Sequence, residues 1–157
     1  MRRLSGPDAL PDLEGAELGT TGWREVGPAA VAAFAEVTGD RQWIHLDVVR
    51  AADGPFGVPV VHGLHLVAMV PSMVDEVLAV EGVDHVLNKG VERVRFAAPV
   101  PVGARVRGRV EVVSARVRPR GYWEAVHRVH VERDGIAEPV CAVSVTYLYR
   151  ERDPRVR

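Results

Sequence analysis

The stretch HGLHLVAMVPSMVDEVL, residues 62–78, decides the fold, because it belongs to the longest apolar part of the chain and reads as one helix. Its first half leaves little polar surface, which is typical of a buried helix. Pro71 removes one backbone hydrogen bond and is expected to kink the helix. We predict that the helix begins near Gly63, runs towards Val80 and ends at Gly82.

A different pattern follows this helix. From Val86 onward apolar and polar residues alternate with period two, which is typical of half-buried strands. In the first two strands the alternating apolar residues are Val94, Phe96, Val106 and Val110. Turns are predicted at residues 99–103, 119–121 and 134–135, and a last strand at 140–149. The pattern therefore predicts an antiparallel meander around one central helix, an α+β fold.

The segment before the central helix is predicted to bring two polar side chains together. Residues 28–37 are predicted to form a helix with proline in its first turn, and Thr38-Gly39 is its stop. The end of this helix delivers Asp40. Asp47 is placed to cap a short helix that follows it. His45 is thus expected between two helices, where a turn lets it converge with Asp40.

Asp40, His45 and Gly63 would supply a carboxylate, an imidazole and an unhindered backbone N–H. These groups suffice for acid–base chemistry on a polarised carbonyl without a cofactor. A glycine at the start of a buried helix offers its N–H at the positive end of the helix dipole. The structural alternative is that Asp40 is a cap, His45 a core residue, and Gly63 a site of close packing.

Eight residues fall where one family carries its motif: Thr38, Gly39, Asp40, His45, Phe56, Gly57, His62 and Gly63. On these residues the chain resembles the MaoC-like family of (R)-specific enoyl-thioester hydratases and dehydratases. Gln42-Trp43 replaces the commoner Asn-Pro. This version, with the later segment Val94 to Gly103, is similar to the NodN-like branch of the family. The resemblance spans about Leu18 to Tyr149.

The resemblance implies a hot-dog fold, in which an antiparallel sheet wraps a long central helix. It implies a hydro-lyase that interconverts (R)-3-hydroxyacyl and trans-2-enoyl thioesters of coenzyme A or acyl carrier protein. Asp40 and His45 would be the acid–base pair, and the Gly63 amide would stabilise the oxyanion. No cofactor and no metal are implied, and members generally form dimers. Residues expected to contact substrate are Gln42, Trp43, Phe56, Gly57 and His62.

Composition bounds the class of protein. The chain has 157 residues, 47% of them apolar, which predicts a single domain over 1–157 with its core at about 18–150 and flexible ends. Cys141 is the sole cysteine, which excludes a disulfide within the chain, and no secretory signal is recognisable. A cytoplasmic location is therefore expected. Prolines and polar residues interrupt the apolar stretch at 58–74, so no membrane span is predicted.

Charge is divided unevenly, since residues 1–89 carry a net −7 and residues 90–157 a net +6. Arginine pairs well with phosphate and carboxylate, so the basic half has the charge to face coenzyme A or an acidic carrier protein. Glutamates mixed among the arginines favour a solvated sheet face for most of them. The same mixture, with a total of −1, argues against a nucleic-acid partner.

Three other interpretations remain open at the level of sequence. A metal site would draw on His45, Asp47, His62 and His65, although no recognised zinc spacing is present. A non-catalytic acyl-thioester-binding or assembly module would keep the fold without the activity. Thioester hydrolysis would require a carboxylate at the carbonyl, for which Asp75 and Glu76 on the long helix are the candidates.

Overall fold

A curved antiparallel sheet and the helices that it encloses make up the computed structural model, which describes residues 1–153. The helices are α1 Pro28–Thr38, α2 Trp43–Leu46, α3 Val48–Ala52, α4 Gly63–Ala68, α5 Val70–Val77 and a 3₁₀ helix, Pro7–Leu13. The strands are β1 Arg2–Leu4, β2 Glu17–Thr20, β3 Arg24–Glu25, β4 Leu78–Val80, β5 Val83–Phe96, β6 Arg105–Arg118, β7 Tyr122–Arg133 and β8 Cys141–Glu151. The predicted α+β class and hot-dog arrangement are confirmed. Strands β1 to β4 were not predicted.

The strand order corrects the predicted meander. Strands β6, β7 and β8 are consecutive antiparallel neighbours, but β5 pairs with β8 and not with β6. The linker after β5 is packed against the rest of the protein. Val100 in that linker is 1% exposed, and its carbonyl accepts a hydrogen bond from Val61 N–H at 2.7 Å. The linker that contains Val100 thus packs against the core while the chain passes from β5, at one edge of the sheet, to β6 near the other.

Strand β5 is more exposed than a half-buried strand. It is the last strand in the sheet order, so one of its edges has no neighbour among residues 1–153. Five of its large apolar side chains are between 38% and 49% exposed, namely Val86, Leu87, Val91, Val94 and Phe96. A long apolar edge strand is a site where another strand can pair. The period-two pattern identified the strand correctly but not its exposure.

The predicted long helix is divided in two. Helix α4 ends at Ala68 and α5 begins at Val70, and Pro71, which has no N–H to donate, lies in the first turn of α5. The kink predicted at Pro71 takes the form of a break at Met69, two residues earlier, and Pro71 fits the first turn of α5 because no N–H is needed there. The helix ends earlier than Val80, because Leu78 already pairs in parallel with Arg2 of β1. Of the helices described, none is both long and apolar enough to cross a lipid bilayer.

Burial along this helix is uneven. Helix α5 buries Val70, Met73, Val74 and Val77 against the inner face of the sheet. Leu64 of α4, in contrast, is 65% exposed, so the expectation of a helix buried all round is wrong at its first turn. Leu64 and the apolar residues of β5 are therefore both exposed hydrophobic parts of the surface.

Local capping explains the segment that carries the candidate site. Helix α1 ends at Thr38, within the predicted stop Thr38-Gly39, because Gly39 adopts φ +77° and its N–H donates to the carbonyl of Ala35. Asp47 caps α3 as predicted, accepting a hydrogen bond from Arg50 N–H at 2.9 Å. His45 lies within the single turn α2, which was not predicted, and not in a loop between helices.

Arginine and glutamate side chains of neighbouring strands pair across the outer face of the sheet. The pairs include Arg107 with Glu132, Arg128 with Glu111, and Arg116 with Glu124. Glu124 is only 3% exposed and also binds Lys89. This face therefore neutralises much of its own charge, as expected of a solvated sheet face.

One close approach in the core supports a stability prediction. Gly108 of β6 lies under Met73 of α5, and a Cβ added at Gly108 would meet Met73 Sδ at 2.7 Å. We expect Gly108→Ala to lower the free energy of unfolding by about 1–3 kcal/mol through overpacking. Gly90→Ala in β5 is the matched control, because a Cβ there meets no atom within 4 Å. Urea unfolding of both variants measures the difference, and equal midpoints would contradict the prediction.

Candidate active site

Two hydrogen bonds fix His45 to the segment before the central helix. His45 is 8% exposed, and its Nδ1–H donates to the carbonyl of Val60 at 2.6 Å. In return, Val60 N–H donates to the carbonyl of Ile44 at 2.9 Å. A carbonyl oxygen only accepts, so Nδ1 carries a proton. In the neutral ring Nε2 is then free to accept a proton.

Asp40 emerges directly after the left-handed turn at Gly39. Its Oδ1 accepts hydrogen bonds from the backbone N–H and the side-chain amide of Gln42, at 3.4 and 3.2 Å. Burial acts to raise the pKa of Asp40, but the bonds from Gln42 and the positive charges available on His45 and His62 outweigh it and hold this pKa below its usual value. Asp40 is therefore a carboxylate at neutral pH.

His62 connects the two groups. Its ring stacks on that of His45 with centroids 3.7 Å apart and 27° between the planes. Its Nε2–H donates to the backbone carbonyl of Asp40 at 2.9 Å. His62 is 2% exposed, and its Nδ1 has no hydrogen-bond partner among residues 1–153. Phe34 of α1 packs against the same ring, with centroids 5.1 Å apart.

These contacts place a carboxylate oxygen of Asp40 and a ring nitrogen of each of His45 and His62 within 4.8 Å of one another. The metal interpretation needs lone pairs that converge on one ion. Stacked imidazoles direct their in-plane lone pairs side by side, and so are poorly arranged for a common ion at about 2.1 Å. Asp47, which the metal interpretation counted as a ligand, caps α3 instead. The arrangement suits proton transfer better than metal binding.

Gly63 lies beside this cluster as the first residue of α4. The first N–H groups of a helix have no acceptor within the helix, so the Gly63 N–H is available to a ligand. Gly63 also lines a cavity of about 320 Å³, together with Phe56, Val61, Leu66 and Phe96. Asp40 and His45 do not line this cavity, which approaches them through Val61 and Gly63, the two neighbours of His62 in the chain.

The residues predicted to contact substrate occupy different places. Phe56 lines the cavity, whereas Gln42 and His62 contact Asp40 and His45. Trp43 packs under the guanidinium of Arg50, 4.4 Å from the ring centre. Gly57 forms a turn with φ +70°. Neither Trp43 nor Gly57 lines the cavity, and their predicted substrate contacts stay predictions.

Sequence reasoning missed three residues of this site. Phe34 packs on the histidines, Val60 anchors His45, and the Phe96 ring covers Gly63, where an added Cβ would lie 3.0 Å from it. Phe96 lies in the segment that carried the family resemblance, which was a usable signal. Phe34 and Val60 had none beyond their apolar character.

The family model described as "MaoC like domain" matches residues 11–132. The chain belongs to the MaoC-like family. The resemblance read from its motifs is therefore confirmed, and the NodN-like features agree with 33% identity over 148 residues to nodulation protein N of Rhizobium meliloti strain 1021, covering 88% of this chain and 87% of that protein.

Other MaoC-like relatives carry names that describe reactions. The chain is 37% identical over 149 residues to 3-hydroxyacyl-thioester dehydratase Z of Mycobacterium tuberculosis strain H37Rv, covering 95% of this chain and 99% of the relative. Among solved structures, the (R)-hydratase from A. caviae involved in PHA biosynthesis is similar with a TM-score of 0.65 and 27% identity, over 85% of this chain and 95% of that one. The expected hydratase and dehydratase chemistry agrees with these names.

The hydrogen bond from Gln42 supports a prediction about the pKa of Asp40. We expect Gln42→Met to raise the pKa of Asp40 towards its usual value, because the carboxylate loses a side-chain donor while its neutral form loses little. Carbon-13 NMR of the Asp40 carboxyl through an acid titration measures the change. Arg41→Met is the control, since Arg41 pairs with Glu36. An unmoved Asp40 titration in Gln42→Met would contradict this account.

Proposed function

We propose that the chain is an (R)-specific enoyl-thioester hydratase, equally a (3R)-hydroxyacyl-thioester dehydratase in the reverse direction, and thus a hydro-lyase. The observation that supports this proposal most directly is that the Asp40 carboxylate and the His45 ring lie within 4.8 Å of each other, beside the first amide of α4. The substrate would be a thioester of coenzyme A or acyl carrier protein. The names of two MaoC-like relatives, 3-hydroxyacyl-thioester dehydratase Z and the (R)-hydratase from A. caviae, support this reaction class.

Hydration requires a water molecule held over C3 of the trans-2-enoyl group. In the proposed reaction Asp40 and His45 hold this water, accept one of its protons as its oxygen attacks C3, and return a proton to C2. The fixed Nδ1–H bond of His45 leaves Nε2 for this transfer, and Asp40 remains ionised beside it. Positioned acid–base groups of this kind contribute about 100- to 10,000-fold to rate.

Negative charge develops on the thioester oxygen as C3 is attacked. The Gly63 N–H is the proposed donor to this oxygen, because it is unpaired within α4 and lies at the positive end of the helix. The cavity beside Gly63 would receive the acyl group. No cofactor enters this scheme, since coenzyme A or the carrier protein arrives as part of the substrate.

The competing thioester hydrolysis finds less support. Glu76 binds the Gly22 N–H and the Arg24 guanidinium, and these bonds hold its pKa below the usual value. A carboxylate tied to two donors is a weak nucleophile and base. Asp75 lies on α5, well along the helix from Gly63.

The proposed assembly is a homodimer formed through β5. The unpaired edge of β5 and its half-exposed apolar side chains would be covered by the β5 of a second copy, which joins two sheets into one. The proposed location is the cytoplasm, which suits a chain whose single cysteine, Cys141, is buried and unpaired.

Val86→Lys tests the dimer. A lysine on the exposed face of β5 would place like charges near each other across the interface and remove apolar contact, so we expect the mass in solution to fall from twice 17.1 kDa to a single chain. Analytical ultracentrifugation measures this. Val117→Lys on β6, where the valine is 65% exposed, is the matched control. A dimer that persists in Val86→Lys would argue against β5 as the contact.

The direct test of function follows the absorbance of crotonyl-coenzyme A and of longer trans-2-enoyl-coenzyme A thioesters, with and without a chelator. Chiral analysis of the product distinguishes (R)- from (S)-3-hydroxyacyl thioester. Formation of the (R)-product, unaffected by chelator, is the expected result. Binding of these thioesters and of acyl carrier protein substrates without any turnover would favour the non-catalytic binding module.

A further inference from the structure

His62 lies inside the candidate active site but does not line the space that would receive a substrate. Its neighbours in the chain, Val61 and Gly63, line the cavity of about 320 Å³, whereas His62 does not. Its Nε2–H donates to the carbonyl of Asp40, so in the neutral ring this nitrogen has no lone pair with which to accept a proton. Its Nδ1 is buried. The ring is therefore poorly placed to exchange a proton with a bound substrate.

The hydrogen bond from His62 restrains a segment that has little regular structure of its own. Residues 39–42 lie outside the helices and strands, and the bonds of the Asp40 carboxylate to Gln42 are long, at 3.2 and 3.4 Å. The bond from His62 to the Asp40 carbonyl is shorter, at 2.9 Å, and spans 22 positions of the chain. Without it, the peptide that carries the Asp40 carboxylate would sample more conformations, because segments with few contacts open easily.

The ring stack restricts a second group, the imidazole of His45. The bond from Nδ1–H to the Val60 carbonyl, at 2.6 Å, holds one edge of this ring. A planar ring can still pivot about a single hydrogen bond. The His62 ring is inclined by only 27° to that of His45, with centroids 3.7 Å apart, and blocks the pivot. The stack thus holds Nε2 of His45 in one direction.

Other contacts hold His62 itself in place. Phe34 of α1 packs against its ring with centroids 5.1 Å apart. The same phenyl ring stacks on His65 of α4, with centroids 4.7 Å apart and the planes within 1° of parallel. His62 also precedes Gly63 directly, so the two share one planar peptide unit. A shift of the His62 backbone would therefore turn the Gly63 N–H as well.

We propose that His62 is a positioning residue of the hydration site. It holds the Asp40 carboxylate through the hydrogen bond and the His45 ring through the stack, and it makes no contact with the substrate. This inference rests on the proposed function, in that Asp40 and His45 act on the water that adds to C3. The role differs from the substrate contact that the family resemblance implies. Its effect on rate comes from the alignment of reacting groups before the reaction begins.

Three substitutions at position 62 separate the hydrogen bond from the stack. His62→Gln keeps a side-chain N–H donor and loses the ring, His62→Phe keeps a ring and loses the donor, and His62→Leu loses both. We expect His62→Leu to lower kcat about 30-fold, less than the roughly 100-fold that a misplacement of about 1 Å can cost. The other two variants should each recover part of this loss. KM should change less than about threefold, since no contact with substrate is removed. Steady-state absorbance with crotonyl-coenzyme A measures both constants.

Two comparisons separate positioning from general damage to the core. His65→Leu is the matched control, because His65 belongs to the same row of rings but stacks on Phe34 and not on His45, so kcat should stay within about twofold of wild type. In an Asp40→Asn background, His62→Leu should cost much less than in wild type, because a carboxylate that is absent cannot be misplaced. Full additivity of the two losses would overturn the inference.

Nitrogen-15 relaxation tests the positioning without requiring turnover. We expect the order parameter of the Asp40 amide to fall from about 0.85, typical of rigid backbone, towards about 0.6 in His62→Leu, and to stay high in His62→Gln. An Asp40 amide that stays equally rigid in His62→Leu would contradict the inference. So would a recovery of kcat in neither His62→Gln nor His62→Phe.

The two measurements keep the inference and the proposed function distinguishable. If wild type hydrates no enoyl thioester while the Asp40 amide loosens in His62→Leu, the proposed function is rejected and the restraint of Asp40 by His62 is kept. If wild type hydrates crotonyl-coenzyme A and His62→Leu does so with undiminished kcat, only the inference about His62 is rejected.

Discussion

Asp40→Asn is expected to lower kcat for enoyl-thioester hydration by roughly 100-fold or more, with a much smaller change in KM. Asparagine keeps the size of the side chain and can still accept from Gln42, but it cannot accept a proton from water at neutral pH. The His62 bond should survive, because it ends on the main-chain carbonyl of residue 40. Stopped-flow or steady-state absorbance with crotonyl-coenzyme A measures the loss.

His45→Asn completes this test. An asparagine amide can replace Nδ1 as the donor to Val60, whereas the proton-accepting Nε2 has no counterpart. We expect a similar loss, and a double variant with Asp40→Asn that is little worse than either single one, because the two groups act on the same proton. Additive losses would indicate separate roles, and losses below tenfold would remove Asp40 and His45 from the chemistry. Circular dichroism confirms that each variant is folded.

The second large effect is expected from Gly63→Pro, which should lower kcat roughly 100- to 1,000-fold relative to Gly63→Ala. Proline deletes the N–H proposed to bind the oxyanion. The backbone tolerates it, since residue 63 is the first position of α4 and His62 before it has φ −58° and ψ 131°, as a residue preceding proline requires.

Gly63→Ala is the necessary comparison. Alanine and proline both add a Cβ that would lie 3.0 Å from the Phe96 ring, so the Cβ contact with Phe96 is common to the two variants. Only proline removes the donor. Equal activity of Gly63→Pro and Gly63→Ala would show that the Gly63 amide does not stabilise the transition state and that the glycine serves packing against Phe96.

Local chemistry made parts of this fold predictable. The end of α1 at Gly39 and the cap of α3 at Asp47 follow from residue types whose conformational preferences are strong within a few positions. The order of the strands was not predictable in the same way. Period two identifies which side chains share a face, but it does not say which strand is the neighbour. The pairing of β5 with β8 joins residues about 45 to 68 positions apart, which no local pattern reports.

The candidate site likewise has parts that the sequence predicts and parts that it does not. A motif within one stretch pointed to Asp40, His45 and Gly63, and the structure brings the first two together beside the third. The contacts that hold them join residues 15 and 22 positions apart, as from His45 to Val60 and from His62 to Asp40. No periodicity reports such contacts.

The two hydrogen bonds that orient His45 and His62 both end on main-chain carbonyls, those of Val60 and Asp40. A main-chain acceptor does not change when a side chain is replaced. The imidazole pair is therefore a fixed frame into which other functional groups can be introduced at position 40, such as a thiol or a longer carboxylate. For enzyme engineering, this makes the site a scaffold on which new reactions can be explored without first rebuilding the positions of its bases.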